Sequence, residues 1–148
     1  MKRIVALDTE TTGLDPFKGQ AFPFLYIVAE QGKETLVTKT ATDILPYILD
    51  MDCDIIMHNA MFDISMLKVM GFPIEKLEGR CHDTTTLMHL LYEEEMLNLE
   101  SLALRYLGKN KLTDLVKNWF NENGYKKDEW NYTGESVDPA PRGRISGG

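Results

Sequence analysis

Apolar residues fall in short clusters along this chain, and the polar residues between them mark out the elements. The first cluster, Ile4-Val5-Ala6-Leu7, is β-branched and brief, and it predicts a buried strand that runs into Asp8. A turn-rich stretch follows, Asp15-Pro16-Phe17-Lys18-Gly19-Gln20. Residues 24–30 and 34–39 then predict two strands joined across Gln31-Gly32-Lys33 as a tight antiparallel hairpin. Ile44, Leu45, Ile48 and Leu49 recur at helical spacing and predict a helix over 42–50, capped by Thr42 or Asp43. Residues 54–57 predict a short buried strand, and 60–70 a helix that stops at Gly71. A further short strand is predicted over 79–82. Helices follow over 84–92, over 99–107 between Asn98 and Gly108, and over 112–123 before Gly124.

Three strands followed by alternating short strands and helices predict an α/β fold. Its mixed sheet has a three-stranded antiparallel start, parallel strands after it, and helices on its faces. There are no internal repeats. Periodicity is lost after Trp130, where Pro139-Ala140-Pro141-Arg142-Gly143-Arg144 leads to Ser146-Gly147-Gly148. The expected organisation is one domain over 1–130 and an irregular or disordered tail over 131–148.

Composition narrows the class. With 148 residues and 43% hydrophobic content, a single domain can bury a real core. No apolar stretch approaches the roughly 18 residues of a membrane span, and the first cluster is too short for a signal peptide. Cys53 and Cys81 lack metal-type spacing, so a reducing, cytoplasmic setting is expected. The net charge of −7 argues against a protein that simply coats nucleic acid. It leaves open an enzyme whose acidic residues gather cations.

Two carboxylates carry the most chemistry. Asp8 and Glu10 are one residue apart at the end of the first strand, so they point to the same face. Like charges aimed at one spot repel unless a cation lies between them. Oxygen-only ligands suit Mg²⁺ or Mn²⁺. Thr11-Thr12-Gly13 then offers backbone and hydroxyl donors beside that spot, where a phosphate or nucleotide could lie. The alternative is an Asx-type turn closing a strand, with Glu10 merely solvated. A second group, His58-Asn59-Ala60-Met61-Phe62-Asp63, sits where a strand hands over to a helix. Asn59 and Asp63 are four apart and share a face on an early turn. Asp63 can then add a carboxylate to the site, unless Asn59 is an ordinary N-cap and Asp63 a solvated helix residue.

Taken together, these motifs resemble the DEDD-type 3′–5′ exonucleases, in detail the proofreading exonuclease domain of phage-like family A DNA polymerases. The resemblance rests on Leu7-Asp8-Thr9-Glu10-Thr11-Thr12-Gly13-Leu14 and on His58-Asn59-Ala60-Met61-Phe62-Asp63. It continues through His82-Asp83-Thr84-Thr85 and the segment from Asn98 to Gly108, covering about residues 3 to 125. It implies an RNase H-like fold and two-metal hydrolysis of the 3′-terminal phosphodiester of DNA, with two Mg²⁺ or Mn²⁺ ions. By position, Asp8 would bridge both metals, Glu10 would bind the water-activating ion, and Asp63 would serve the second. Thr9, Thr11, Thr12, Gly13 and Leu14 would hold the terminal nucleotide, with Leu14 wedged against its base. Asn59 would approach the substrate, and Phe62 would offer either a stacking surface or a core aromatic. Asp83 is expected to cap a helix, and His82 is given no catalytic role. The implied partners are a single-stranded DNA 3′ end and a DNA polymerase domain or subunit, in a bacterial cell or phage-infected host.

One part of the family pattern is missing. A fourth carboxylate is required on a late helix, in Tyr-x-x-x-Asp or His-x-x-x-x-Asp. No His follows His89; Tyr125 and Glu129 offer the Tyr-type spacing with Glu for Asp, and Tyr132 and Asp138 have the wrong spacing. The resemblance therefore implies a domain short of its last helix, with weakened metal binding and catalysis lowered by orders of magnitude. The apolar surface this leaves would be covered by a partner, a second copy or a polymerase fragment. The leading expectation is a metal-dependent 3′–5′ exonuclease. The alternative is an impaired exonuclease-like module that binds a DNA end or docks on a polymerase. An exonuclease for short RNA fits less well, because such relatives carry the late His.

Overall fold

The computed structural model describes residues 2–92 and 98–109, with Asn118, Glu122 and Asn123. Five strands make one sheet: β1 (Arg3–Thr11), β2 (Pro23–Glu30), β3 (Leu36–Thr38), β4 (Cys53–Met57) and β5 (Cys81–Asp83). Their order is β3-β2-β1-β4-β5. β1, β2 and β3 are antiparallel neighbours, while β4 runs parallel to β1 and β5 parallel to β4. The antiparallel start and parallel continuation are those expected from the order of elements. β1 is central because it pairs on both sides, and that puts its C-terminal end in the middle of the sheet edge.

The helices are α1 (Leu45–Leu49), α2 (Ala60–Val69), α3 (Thr84–Leu91) and α4 (Leu99–Leu107). The expected helix over 42–50 is split into a 3-10 turn, Ala41–Asp43, and the short α1. Pro46 in the first turn of α1 has no N–H to continue the ladder, so the helix restarts there. Neither Thr42 nor Asp43 supplies a side-chain cap. β3 is shorter than expected because the Thr38 hydroxyl donates to Asp43 and accepts the Thr40 amide, turning the chain off the sheet. β5 begins at Cys81 rather than at Gly79, whose φ of +73° belongs to a turn. α4 has the expected bounds, with the Asn98 side chain accepting from the Ser101 amide and Gly108 closing it at φ +62°. The predicted helix over 112–123, apart from Asn118, Glu122 and Asn123, and the predicted tail over 131–148 lie outside the described residues.

The core lies on one face of the sheet. Val5 and Leu7 of β1, Tyr26 and Val28 of β2, and Ile55 and Met57 of β4 pack there with Ile48 of α1 and Leu67 of α2. Arg80 ties this layer together. Its buried guanidinium donates to the carbonyls of Ile48, Asp50, Cys53 and Lys76. The opposite face carries Ala6, Ile27, Ala29 and Ile56, and with Leu99 of α4 these residues line a cavity that Asp8 also borders. Among the described residues no helix is long and apolar enough to cross a membrane.

Candidate active site

Alternation along β1 separates its last side chains. Val5, Leu7 and Thr9 are buried, whereas Asp8 and Glu10 are exposed. The strand therefore presents Asp8 and Glu10 together on the face away from the core, as the spacing predicts. The register shifts between Glu10 and Thr11, and such an irregularity re-aims the chain at a sheet rim. Beyond it the Thr11 hydroxyl donates to the Gly13 carbonyl at 2.8 Å, and the Thr12 hydroxyl accepts the Phe22 amide at 3.1 Å. This turn leaves Leu14 86% exposed.

Thr9 faces the other way. The expectation grouped it with the nucleotide-holding residues, but it is buried, and its hydroxyl donates to Asp63 Oδ1 at 2.5 Å. Strand alternation decides this, since Thr9 lies between the two outward carboxylates. Asp63 is brought to the same strand end by α2 and is only 3% exposed. Burial, with smaller contributions from Asp8 and Glu10, pushes its carboxyl up to about 6, and the Thr9 hydrogen bond opposes that rise. Asp63 thus feels the charge of both Asp8 and Glu10. Among the described residues, however, no three acidic, His or Cys side chains stand close enough to hold a metal ion together. Asp63 meets β1 from the core side, and Asp8 and Glu10 leave it on the other.

Asn59 precedes α2 at φ +59° and ψ +60°, and its side chain makes no capping bond. The shared helical face expected for Asn59 and Asp63 is therefore not formed, because Asn59 stands outside the helix. Asp83 does the capping instead. Its carboxylate accepts from the amides of Asn59, Ala60 and Thr85, which bears out its expected capping role. Burial would raise its pKa, but these amide donors outweigh that and hold it below the usual carboxylate range. Phe62 is half-buried, between the two roles open to it.

Sequence reasoning gave no part to His58 within its motif. Its Nδ1 lies 3.0 Å from the Thr84 hydroxyl, and the residue borders the cavity shared with Asp8. His82 pairs with Asp54 at 3.2 Å rather than with the site acids. Tyr125, Glu129, Tyr132 and Asp138, weighed for the third motif, lie outside the described residues.

Both the sequence and the fold of this chain have known relatives. Over 120 residues the chain is 30% identical to DNA polymerase DpoZ of Salmonella phage PMBT28, a match covering 76% of this chain. The chain spans 19% of that polymerase. In fold it is similar to Brucella melitensis NrnC with bound Mg²⁺, with a TM-score of 0.60 and 16% identity, over 85% of this chain and 77% of that one. It is also similar to Escherichia coli RNase D, an exoribonuclease involved in structured RNA processing. There the TM-score is 0.59 and the identity 18%, over 90% of this chain and 36% of that one. These likenesses bear out the RNase H-like mixed sheet. The carboxylate-bearing strand end lies within a match to the 3′–5′ exonuclease family that runs over residues 1–138, and the chain belongs to that family.

Proposed function

We propose that this chain is a metal-dependent 3′–5′ exonuclease module of the proofreading type, acting on the 3′ end of single-stranded DNA. One observation carries the reading: Asp8 and Glu10 project together from the end of the central strand, with Asp63 buried against the same strand and coupled to both. Family membership and the phage polymerase relative support it. The donor set is oxygen-only and mutually repelling, which suits Mg²⁺ or Mn²⁺ in the number of two. Asp8 and Glu10 would hold the ions from the outer face, with Asp63 joining them once bound cations draw the carboxylates together, and the ions would ready a water and offset charge on the scissile phosphate.

The remaining work falls to the protein. Thr9 holds Asp63 at the end of β1, which keeps its carboxylate beside the strand end that bears Asp8 and Glu10. Thr11, Thr12 and Gly13 form the turn that takes the terminal nucleotide, and exposed Leu14 lies against its base. Asn59, with its exposed side chain, donates to the strand, and Phe62 offers ring surface. A linked or separate polymerase would deliver the strand end.

A second reading, a module that holds a DNA end or docks on a polymerase without cutting, is favoured by the absence of a three-ligand cluster among the described residues. Degradation of 5′-labelled single-stranded DNA and RNA with Mg²⁺ or Mn²⁺, beside Asp8→Ala, separates the two. Metal-dependent shortening of DNA from its 3′ end, lost in Asp8→Ala, is expected. Binding of DNA without shortening would favour the second reading, and preference for RNA would overturn the proofreading assignment.

A further inference from the structure

Asp83 closes two helices at once. Its Oδ1 accepts from the Thr85 amide at 2.9 Å, as the N-cap of α3, and from the Asn59 amide at 3.0 Å. Its Oδ2 accepts from the Ala60 amide at 3.1 Å, at the first residue of α2. An N-cap side chain ordinarily serves only the helix it begins. Here it also serves the neighbouring helix, whose own N-cap residue, Asn59, supplies no side-chain bond. Thr85 assists, its hydroxyl oxygen accepting from the Asn59 amide at 3.0 Å.

The consequence falls on Asn59. Left-handed backbone costs most non-glycine residues about 1 kcal/mol or more, Asn less than the others, and persists where neighbours hold it. The two acceptors on its amide do so, and the Asn59 side chain, relieved of capping, is exposed. Asp63 does not depend on the same hold, because Thr9 anchors it to β1.

We propose that Asp83 is a positioning residue for substrate, fixing Asn59 in the conformation that presents its side chain to the 3′-terminal nucleotide. The inference rests on the proposed function, which sets Asn59 against the strand end. Losing Asp83 would release Asn59 and leave the Asp8, Glu10 and Asp63 arrangement in place. Substrate binding and metal binding should therefore respond differently.

The test uses the full chain with Asp83→Ala, Asp83→Asn and, as a distant destabilised control, Ile48→Val. KM and kcat are measured on 5′-labelled single-stranded DNA with Mn²⁺, and Mn²⁺ affinity by calorimetry. Asp83→Ala should raise KM about tenfold, the scale of a lost charge-assisted hydrogen bond, with kcat and Mn²⁺ affinity within about twofold. Asp83→Asn keeps one oxygen for two amides and should fall between, while Ile48→Val keeps the wild-type KM. A folded Asp83→Ala protein with wild-type KM would overturn the inference, as would equal losses of Mn²⁺ and DNA affinity. If Asp83→Ala does not fold, Asp83→Asn decides, a raised KM supporting the inference and an unchanged one overturning it. Wild-type protein that leaves the DNA intact sinks the proposed function before any variant is compared, and the inference with it.

Discussion

Thr9 and Asp63, 54 residues apart in the chain, meet in a buried 2.5 Å hydrogen bond that fastens α2 to the central strand. The residues on either side of Thr9, Asp8 and Glu10, leave the strand on the opposite face. One strand end is thereby gripped from the core side and charged on the outer side.

Burial raises the Asp63 carboxyl to about 6, above its unfolded value, so the folded state holds that proton more tightly. The Asp63 contribution to stability should be greatest below the unfolded pKa, fall as pH rises from about 4 to about 6, and then level off. Asp63→Asn should therefore stabilise the metal-free protein by roughly 2 kcal/mol at pH 7 and by almost nothing near pH 4. Urea unfolding in EDTA at both pH values measures this. An equal gain at both would contradict it.

Thr9→Val keeps the shape and removes the donor. It should destabilise the fold by about 1–3 kcal/mol, because a buried carboxylate loses its hydrogen bond. Thr9→Ser retains the hydroxyl and should recover most of that loss. Thermal melts of the two variants decide it, and equal melting temperatures would count against the bond.

If Asp8 and Glu10 hold cations, Mn²⁺ should raise the melting temperature, by an amount equivalent to about 2.7 kcal/mol at one hundred times its Kd. EDTA should reverse the rise and stop hydrolysis. Asp8→Ala should melt at the same temperature with and without Mn²⁺. A shift preserved in Asp8→Ala would place the ion elsewhere.

Asn59 at φ +59° sets up a contrast between two substitutions. Asn59→Gly suits the left-handed conformation and should cost no stability, yet weaken DNA binding by removing the side chain. Asn59→Val puts a β-branched residue there and should destabilise by about 1–3 kcal/mol. Unfolding midpoints and oligonucleotide affinity, read together, check both.

Replacing Arg80 strips donors from four carbonyls spread over residues 48 to 76. Arg80→Met should cost at least about 3 kcal/mol, since buried carbonyls are left unpaired. A loss below 1 kcal/mol in denaturant unfolding would show that water replaces the guanidinium without difficulty.

Local pattern settled a good part of this protein. The apolar run at 4–7 makes a strand, alternation sends Asp8 and Glu10 to one face, and Asn98 and Gly108 bound α4, because each depends on residues within a few positions. Pro46 was equally local, and its break in the helix over 42–50 was there to be read. The pairing of Thr9 with Asp63, the reach of Asp83 back to Asn59 and Ala60, and the guanidinium of Arg80 among distant carbonyls were not local at all. Each joins segments that only the packing of α2 and β5 on the sheet brings within hydrogen-bond distance. Periodicity says which face a side chain takes, and tertiary structure alone says what it meets there.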